Sequence, residues 1–209
     1  MKILLTGANG YIGRRLLPAL VQQGHEVVCA VRDPARLHLP TDLAQKVTTA
    51  VCDMTKRETL ANLPSGIEAA YYLIHSMTQS SKDFKGLEET SARNFSSWVR
   101  TSGAKQIIFL GGIANDADLS HHLKSRLGVE DLLRESNVPL TVLRAAIIIG
   151  SGSASFEIIR DLVEKLPVMI APRWLNTRCQ PIAIRDVVRY LNSVLLHPSA
   201  MNRIFDIGG

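Results

Sequence analysis

The sequence lacks a long apolar run, which excludes a whole class of proteins. No stretch reaches the ~18 consecutive apolar residues that a membrane-spanning helix needs. The apolar stretch at the N-terminus is too short for a secretory signal peptide, because Ile3–Leu5 leads straight into a glycine turn. We therefore expect a cytoplasmic protein with no membrane partner.

Cysteine is scarce. Cys29, Cys52 and Cys179 are odd in number and do not have the spacing of metal ligands. Two of them fall inside expected strands or at their ends. Reduced core thiols are therefore predicted, with no metal site.

The basic runs of nucleic-acid-binding proteins are also missing. The formal net charge is +5, from 24 Lys and Arg against 19 Asp and Glu, but the basic residues occur singly or in pairs. They form no basic helix face, no aromatic residues are interleaved with them, and no helix-turn-helix pattern is present. We predict no nucleic-acid partner. A small-molecule substrate is expected, and an anionic one would suit the charge. An oligomer remains compatible with the composition.

Short apolar segments alternate with helical patterns along the chain. With 209 residues and 46% hydrophobic content, one domain with one core is expected. Uninterrupted alternation of strand and helix predicts an α/β fold of the Rossmann type, a doubly wound parallel sheet with helices on both faces. The expected strands are 3–5, 26–31, 47–51, 68–74, 106–110 and 140–143, with helices at 55–61, 82–100, 119–135 and 156–165.

A glycine turn directly follows the first expected strand and precedes an amphipathic helix. Its spacing is Gly-x-x-Gly-x-x-Gly. One glycine turns the chain, one lets a pyrophosphate touch bare backbone, and one lets the helix pack close to the strand. The helix N-terminus offers N–H groups to the phosphates. The turn therefore predicts a dinucleotide site formed by Gly7, Asn9, Gly10, Tyr11, Ile12 and Gly13.

The end of the second expected strand bears on the choice of cofactor. An NAD-preferring site has an acid there, which accepts a hydrogen bond from the ribose 2′-OH. Val31 occupies that position and Arg32 follows, while Asp33 is better placed to cap the next helical turn. With Arg14 close to the same spot, the sequence predicts NADP(H) as the preferred cofactor and NAD(H) as the alternative. In the competing interpretation, both arginines only face solvent.

The Thr-Gly-x-x-Gly-x-x-Gly turn resembles that of the short-chain dehydrogenase/reductase superfamily, in its extended and atypical branches. The stretches 71–77, 122–126 and 150–156 resemble the NAD(P)H-binding, nucleoside-diphosphate-sugar-epimerase-like subgroup. The resemblance covers nearly the whole chain. It implies a single NAD(P)-binding domain over 1–209, with a cofactor core to about 143. From about 144 to 209 it implies a small C-terminal extension that builds the substrate pocket and adds the last strand. Relatives usually continue past this point, so a truncated chain is expected.

Further cofactor contacts are implied at the ends of the later strands. Asp53 matches the family position beside the adenine and Met54 follows it, although Asp53 could also cap a helix at 55–61. The remaining expected contacts, His75, Ser76 and Gly111, lie where doubly wound sheets bind ligands, at the carboxyl edge.

The catalytic residues of the superfamily are only partly recognisable. Its usual chemistry needs a Tyr and, four residues later on the same helix face, a Lys. The helix at 119–135 contains no Tyr, and the best register puts His122 and Arg126 at these two positions. His121 and Ser125 have the same spacing, and all four residues could equally be helix-surface residues.

Two functions therefore remain open at this point. One is an NADP(H)-dependent oxidoreductase or epimerase-like enzyme acting on a small molecule, which the intact glycine turn favours. The other is a non-catalytic NAD(P)(H)-binding module, a redox sensor or a structural subunit, which the missing Tyr favours.

Overall fold

Seven parallel strands form the central sheet of the computed structural model. The structure describes residues 1–74, 84–113, 121–165 and 180–209, without the side chains of residues 84, 121–125 and 155. The strands are β1 Lys2–Thr6, β2 Glu26–Val31, β3 Val47–Val51, β4 Ala69–Tyr72, β5 Gln106–Gly112, β6 Leu140–Ala145 and β9 Ile204–Ile207. Across the sheet they follow the order β3-β2-β1-β4-β5-β6-β9. A separate parallel pair joins β7 Ile148–Ile149 to β8 Ile182–Ala183. The predicted Rossmann-type sheet is confirmed.

Helices cover both faces of this sheet, as the alternating pattern requires. They are α1 Gly13–Gln22, α2 Thr41–Ala44, α3 Phe84–Ser102, α4 His121–Arg134, α5 Ala154–Lys165 and α6 Ile184–Ser193. Short 3-10 helices occur at Pro34–Arg36, Arg57–Asn62 and Pro198–Ala200. Pro18 lies inside α1, which nevertheless runs on to Gln22.

The core is divided into two layers because neighbouring residues of a strand point to opposite faces. In β1, Leu4 packs into the layer that α3 and α4 cover, whereas Ile3 and Leu5 pack into the layer under α1 and α6. This buries the central strands on both faces, whereas the edge strands β3 and β9 stay partly exposed. The near-continuous apolar character of the strand segments follows from that burial.

The expected helix at 55–61 is wrong in type and position. The structure has a 3-10 helix there, Arg57–Asn62, and its N-cap residue, Lys56, makes no side-chain capping bond. The Thr59 hydroxyl lies 2.8 Å from the Asp53 carbonyl oxygen and accepts from the Asp53 N–H at 2.9 Å. Such side-chain to backbone bonds compete with an α-helical start.

A buried glutamine ties β5 to the chain that follows α6. The side chain of Gln106 is fully buried, with Nε2 donating to Thr141 Oγ1 at 2.7 Å and to the Val194 carbonyl at 2.9 Å. Its Oε1 accepts from the Leu196 N–H at 2.5 Å. All of these polar groups are paired inside the core, which fixes where α6 ends relative to the sheet.

Across the part of the chain that the structure describes, no helix is both long and apolar enough to cross a bilayer.

A buried carboxylate links α4 to β6. Glu130 is 5% exposed, and its two oxygens contact Arg134 Nη2 at 2.8 Å and Arg144 Nη2 at 2.9 Å. Arg144 belongs to β6, and Arg134 lies one turn beyond Glu130 in α4. Removing one partner from a buried pair leaves an uncompensated charge, which costs more than the pair contributes.

We therefore expect Glu130→Ala to lower the free energy of unfolding by about 3 kcal/mol, measured by urea denaturation. Asp131→Ala, an exposed carboxylate next along the same helix, is the matched control and should change stability by less than about 0.5 kcal/mol. Equal losses in the two variants would contradict the importance of the buried network.

Candidate functional site

One cleft of about 370 Å³ lies at the carboxyl edge of β1, β2 and β4. The glycine turn forms one wall, and the ends of β2 and β3 form another. It is lined by Gly7, Asn9, Gly10, Tyr11, Ile12, Gly13, Ala30, Val31, Arg32, Cys52, Asp53, Met54, Thr55, Leu73, Ile74 and Ser91. The structure thus brings together nine of the cofactor residues named from sequence.

Glycine occupies the three positions of the turn for different structural reasons. Gly7 has a φ of +68°, and a Cβ there would lie 2.5 Å from the Leu73 carbonyl oxygen. A Cβ at Gly13 would overlap the Gly7 carbonyl oxygen, because α1 starts directly against the turn. A Cβ at Gly10 would meet only the Gly7 carbonyl oxygen, at 3.1 Å. The fold therefore requires Gly7 and Gly13, whereas the missing side chain of Gly10 leaves room in the cleft.

The N-terminus of α1 has no carboxylate of its own. Its N-cap residue, Ile12, makes no side-chain capping bond, and the first turn contains no acidic residue. A helix N-terminus carries partial positive charge on N–H groups that lack partners within the helix. This end of α1 therefore suits an anionic group, and the bare backbone at Gly10 lets that group come close.

Thr6 holds the turn in place against the next strand. Its hydroxyl donates to the Tyr71 carbonyl at 2.9 Å and accepts from the Leu73 N–H at 3.1 Å. These two bonds join the ends of β1 and β4 just below the cleft. They thereby fix the position of Leu73, whose carbonyl oxygen excludes a side chain at Gly7.

Beyond β2, the arginines and the aspartate take separate roles. Arg32 lines the cleft, is exposed, and has no ion-pair or hydrogen-bond partner among the described residues. Asp33 caps the next 3-10 helix by accepting from the Ala35 N–H at 3.0 Å, as predicted, and pairs with Arg36 at 3.6 Å. Arg14 does not line the cleft. Its Nη2 lies 3.5 Å from the Arg36 carbonyl oxygen, beside the same loop.

At the end of β3, Asp53 lines the cleft without capping a helix. One carboxylate oxygen accepts from the Thr55 N–H at 3.0 Å and from the Thr55 hydroxyl at 2.8 Å, which closes a local turn. The alternative of Asp53 as a helix N-cap is therefore wrong. Met54 is buried beside it, and its carbonyl accepts from Asn94 Nδ2 at 2.8 Å.

Arg126 lies against the sheet. Its guanidinium carbon is 5.6 Å from the centroid of the Phe109 ring. Burial lowers the pKa of Arg126 to about 10, while Glu88 and Tyr72 act in the opposite direction. The side chain therefore stays cationic at neutral pH, and it is not a surface residue.

The other expected site residues lie apart from the cleft or outside the described residues. Gly111 is the last but one residue of β5 and pairs with Arg144 of β6, where a Cβ would lie 3.8 Å from Arg144 Cγ. It is not among the described residues that line the cleft. His122 belongs to α4, but its side chain lies outside the described residues, as do His75 and Ser76 altogether.

Several lining residues were missed from sequence. Leu73 and Ile74 follow β4, and Ser91 reaches the cleft from α3. Leu73 and Ile74 could have been predicted, because they end the expected strand 68–74 at the ligand-binding edge of the sheet. Ser91 carried none, since its place depends on how α3 packs against the sheet.

Comparisons with known proteins agree with this geometry. The NAD(P)H-binding family model matches residues 7–165. A nucleoside-diphosphate-sugar epimerase from Staphylococcus aureus has the same fold, with a TM-score of 0.79 and 20% identity over 100% of this chain and 71% of that one.

Two curated relatives match over the full chain. The divinyl chlorophyllide a 8-vinyl-reductase of Arabidopsis thaliana is 24% identical over 100% of this chain and 53% of its own length. The photosystem II assembly factor Ycf39 of Trieres chinensis is 24% identical over 100% of this chain and 64% of its own length. The chain thus spans about half to two thirds of these relatives.

The family model thus spans the glycine turn and the chain from α1 to α5, which is more than half of the chain. The chain belongs to the NAD(P)H-binding family.

Proposed function

We propose that the chain is the NADP(H)-binding part of a reductase that acts on a small molecule. The observation that carries this proposal is the cleft itself. An open glycine backbone lies beside an uncapped helix N-terminus at one end, and at the other lies Arg32, which pairs with none of the described residues. Similarity to a vinyl-reductase supports the reaction class.

In this proposal the glycine turn holds the pyrophosphate. Backbone N–H groups at Tyr11, Ile12 and Gly13 would donate to the phosphate oxygens, helped by the field of α1, while the Gly10 N–H closes the turn on the Gly7 carbonyl at 2.9 Å. Asn9 lies on the cleft wall beside them. Asp53 and Met54 would flank the adenine, and Asp53 is already held rigid by Thr55.

Arg32 and Arg14 would receive the 2′-phosphate of NADP(H). Val31 offers no carboxylate to a 2′-OH, and Asp33 is engaged by the Ala35 N–H and by Arg36. An unpaired guanidinium beside the ribose favours a phosphate, because charge-assisted hydrogen bonds are the stronger kind. NADP(H) is therefore the proposed preference over NAD(H).

The bound cofactor would supply a hydride, so the chain must hold the substrate and provide a proton. Arg126 is cationic and cannot give up its proton at neutral pH, so its proposed role is to hold a ribose hydroxyl or an anionic substrate group. His122, one turn earlier on α4, is the proposed proton donor. His75, Ser76 and Gly111 are proposed to border the same end of the cofactor.

The second candidate is a non-catalytic NAD(P)(H)-binding module. The helix α4 contains no tyrosine, so the usual proton donor of the superfamily is missing. Similarity to a photosystem II assembly factor also favours a role without catalysis.

A cytoplasmic location is proposed from the thiols. Cys29 and Cys52 are free and buried, and burial raises the pKa of Cys29 to about 12. Buried neutral thiols are typical of reducing compartments.

The role of Gly10 is tested by Gly10→Val. We expect this variant to fold and to lose NADPH binding, because its side chain would occupy the phosphate position. In contrast, Gly13→Val should unfold the turn, since its side chain would overlap the Gly7 carbonyl. Gly128→Val is the control that should fold and bind, because a Cβ there meets no atom of the described residues outside its own helix backbone within 4 Å. Calorimetry measures NADPH binding, and circular dichroism measures folding. Normal binding by Gly10→Val would mean that the pyrophosphate lies elsewhere.

The cofactor preference is tested by titrating NADPH and NADH into the cofactor-free protein. We expect NADPH to bind at least tenfold more tightly, since a charge-assisted contact is worth roughly 1.5–3 kcal/mol. Arg32→Glu should remove that preference, whereas Arg189→Glu, an exposed arginine on α6, should keep it. Equal affinities in the wild type would refute the assignment.

Activity is tested by following NADPH oxidation with a panel of ketones, aldehydes and conjugated alkenes. We expect generic carbonyl compounds to react barely or not at all, because general acid help is worth ~10²–10⁴ in rate and no tyrosine supplies it. Brisk turnover that His122→Ala removes and His121→Ala retains would identify His122 as the acid and exclude the non-catalytic module. Brisk turnover unaffected by His122→Ala would place the proton donor elsewhere.

A further inference from the structure

Arg15 joins two segments that are 136 residues apart in the chain. Its Nη1 donates to the Tyr11 carbonyl at 3.1 Å, and its Nη2 donates to the Ser151 carbonyl at 2.6 Å. The guanidinium carbon also lies 3.9 Å from the centroid of the Tyr11 ring. A single side chain thus contacts both the glycine turn and the loop after β7.

The same two segments also touch directly. A Cβ at Gly150 would lie 2.6 Å from the Tyr11 hydroxyl and 2.5 Å from Ile184 Cγ2, so the loop backbone packs tightly against both side chains. The Tyr11 hydroxyl is buried there and has no hydrogen-bond partner in the described part of the chain. Within the described residues, the bond from Arg15 Nη2 to the Ser151 carbonyl is the only hydrogen bond that joins the two segments, while Nη1 anchors Arg15 to the Tyr11 carbonyl of its own segment.

Hydrogen bonds join this loop to β7 and to the first turn of α5. The Ser153 hydroxyl donates to the Ile148 carbonyl at 2.7 Å, and the Ser153 N–H donates to the Gly150 carbonyl at 2.9 Å. Glu157, in the first turn of α5, accepts from the Gly152 N–H at 3.1 Å. The position of Ser151 against Arg15 thereby sets where α5 begins.

We propose that Arg15 is a positioning residue that couples cofactor binding at the glycine turn to the placement of the 150–153 loop and of α5. This inference rests on the proposed function, in which the turn holds the pyrophosphate. The Tyr11 carbonyl immediately precedes the helix N-terminus, so a phosphate that fixes the turn also fixes the carbonyl to which Arg15 binds. Coupling of this kind is reciprocal, and the docked loop raises cofactor affinity in the same proportion.

The geometry requires a guanidinium. One planar fork reaches two carbonyl oxygens while stacking on an aromatic ring, which a lysine ammonium cannot do in the same position. Simple attraction between a cation and the phosphates would instead be satisfied by lysine. The two explanations therefore predict different behaviour for Arg15→Lys.

The experiment is hydrogen–deuterium exchange of residues 150–165, with and without saturating cofactor, combined with calorimetry on the same proteins. The cofactor is NADPH, or NADH if the wild type prefers it. In the wild type, cofactor should slow exchange in this segment. In Arg15→Ala and Arg15→Lys most of that protection should be lost, and cofactor affinity should fall about fivefold or more. Arg189→Ala, which removes an exposed arginine with only a surface ion pair, should behave as the wild type.

The outcomes separate this inference from the proposed function. Cofactor binding with undiminished protection of 150–165 in Arg15→Ala would overturn the coupling and leave the proposed function standing. If Arg15→Lys keeps the full exchange protection of 150–165 and the full cofactor affinity, the positive charge alone is sufficient. That result would also overturn the coupling. A wild type that binds neither NADPH nor NADH would overturn both.

Discussion

The close contact between the start of α1 and the end of β1 is the constraint on which the site depends. No side chain separates Gly13 from the Gly7 carbonyl, and Gly7 in turn lies under the Leu73 carbonyl. Consecutive residues on a helix point about 100° apart. As a result Arg14 reaches the loop beyond β2, while Arg15 reaches the loop beyond β7. One tight turn therefore directs two neighbouring arginines to two different loops.

The distribution of charge differs between the two sides of the sheet's carboxyl edge. On the side of α4, Arg144 and Arg134 share the buried carboxylate of Glu130, and Arg126 lies near Glu88. In the cofactor cleft, Arg32 has no such partner among the described residues. Among the described residues that line the cleft, Arg32 therefore supplies a positive charge that no carboxylate compensates.

The local parts of this architecture could be predicted from sequence, because they depend on neighbouring residues. The apolar run at Glu26–Val31 forms the second strand over the predicted range, and the glycine spacing located the cleft. The alternative role of Asp53 as a helix cap is wrong, because the Thr55 hydroxyl binds its carboxylate and the Thr59 hydroxyl binds its backbone. The Arg15–Ser151 contact could not be predicted, since no pattern in the chain relates residues 136 positions apart.

The buried amide of Gln106 has a consequence for the order of events during synthesis. Its partners Val194 and Leu196 lie 88 and 90 residues further along the chain. At translation rates of about 5–20 residues per second, this polar group waits roughly 5–20 s on the ribosome before its bonds can form. During that time the neighbouring strands can pair, but the core around β5 retains an unpaired donor and acceptor. Gln106 therefore becomes fully paired only after α6 and the residues that follow it have emerged and folded against β5.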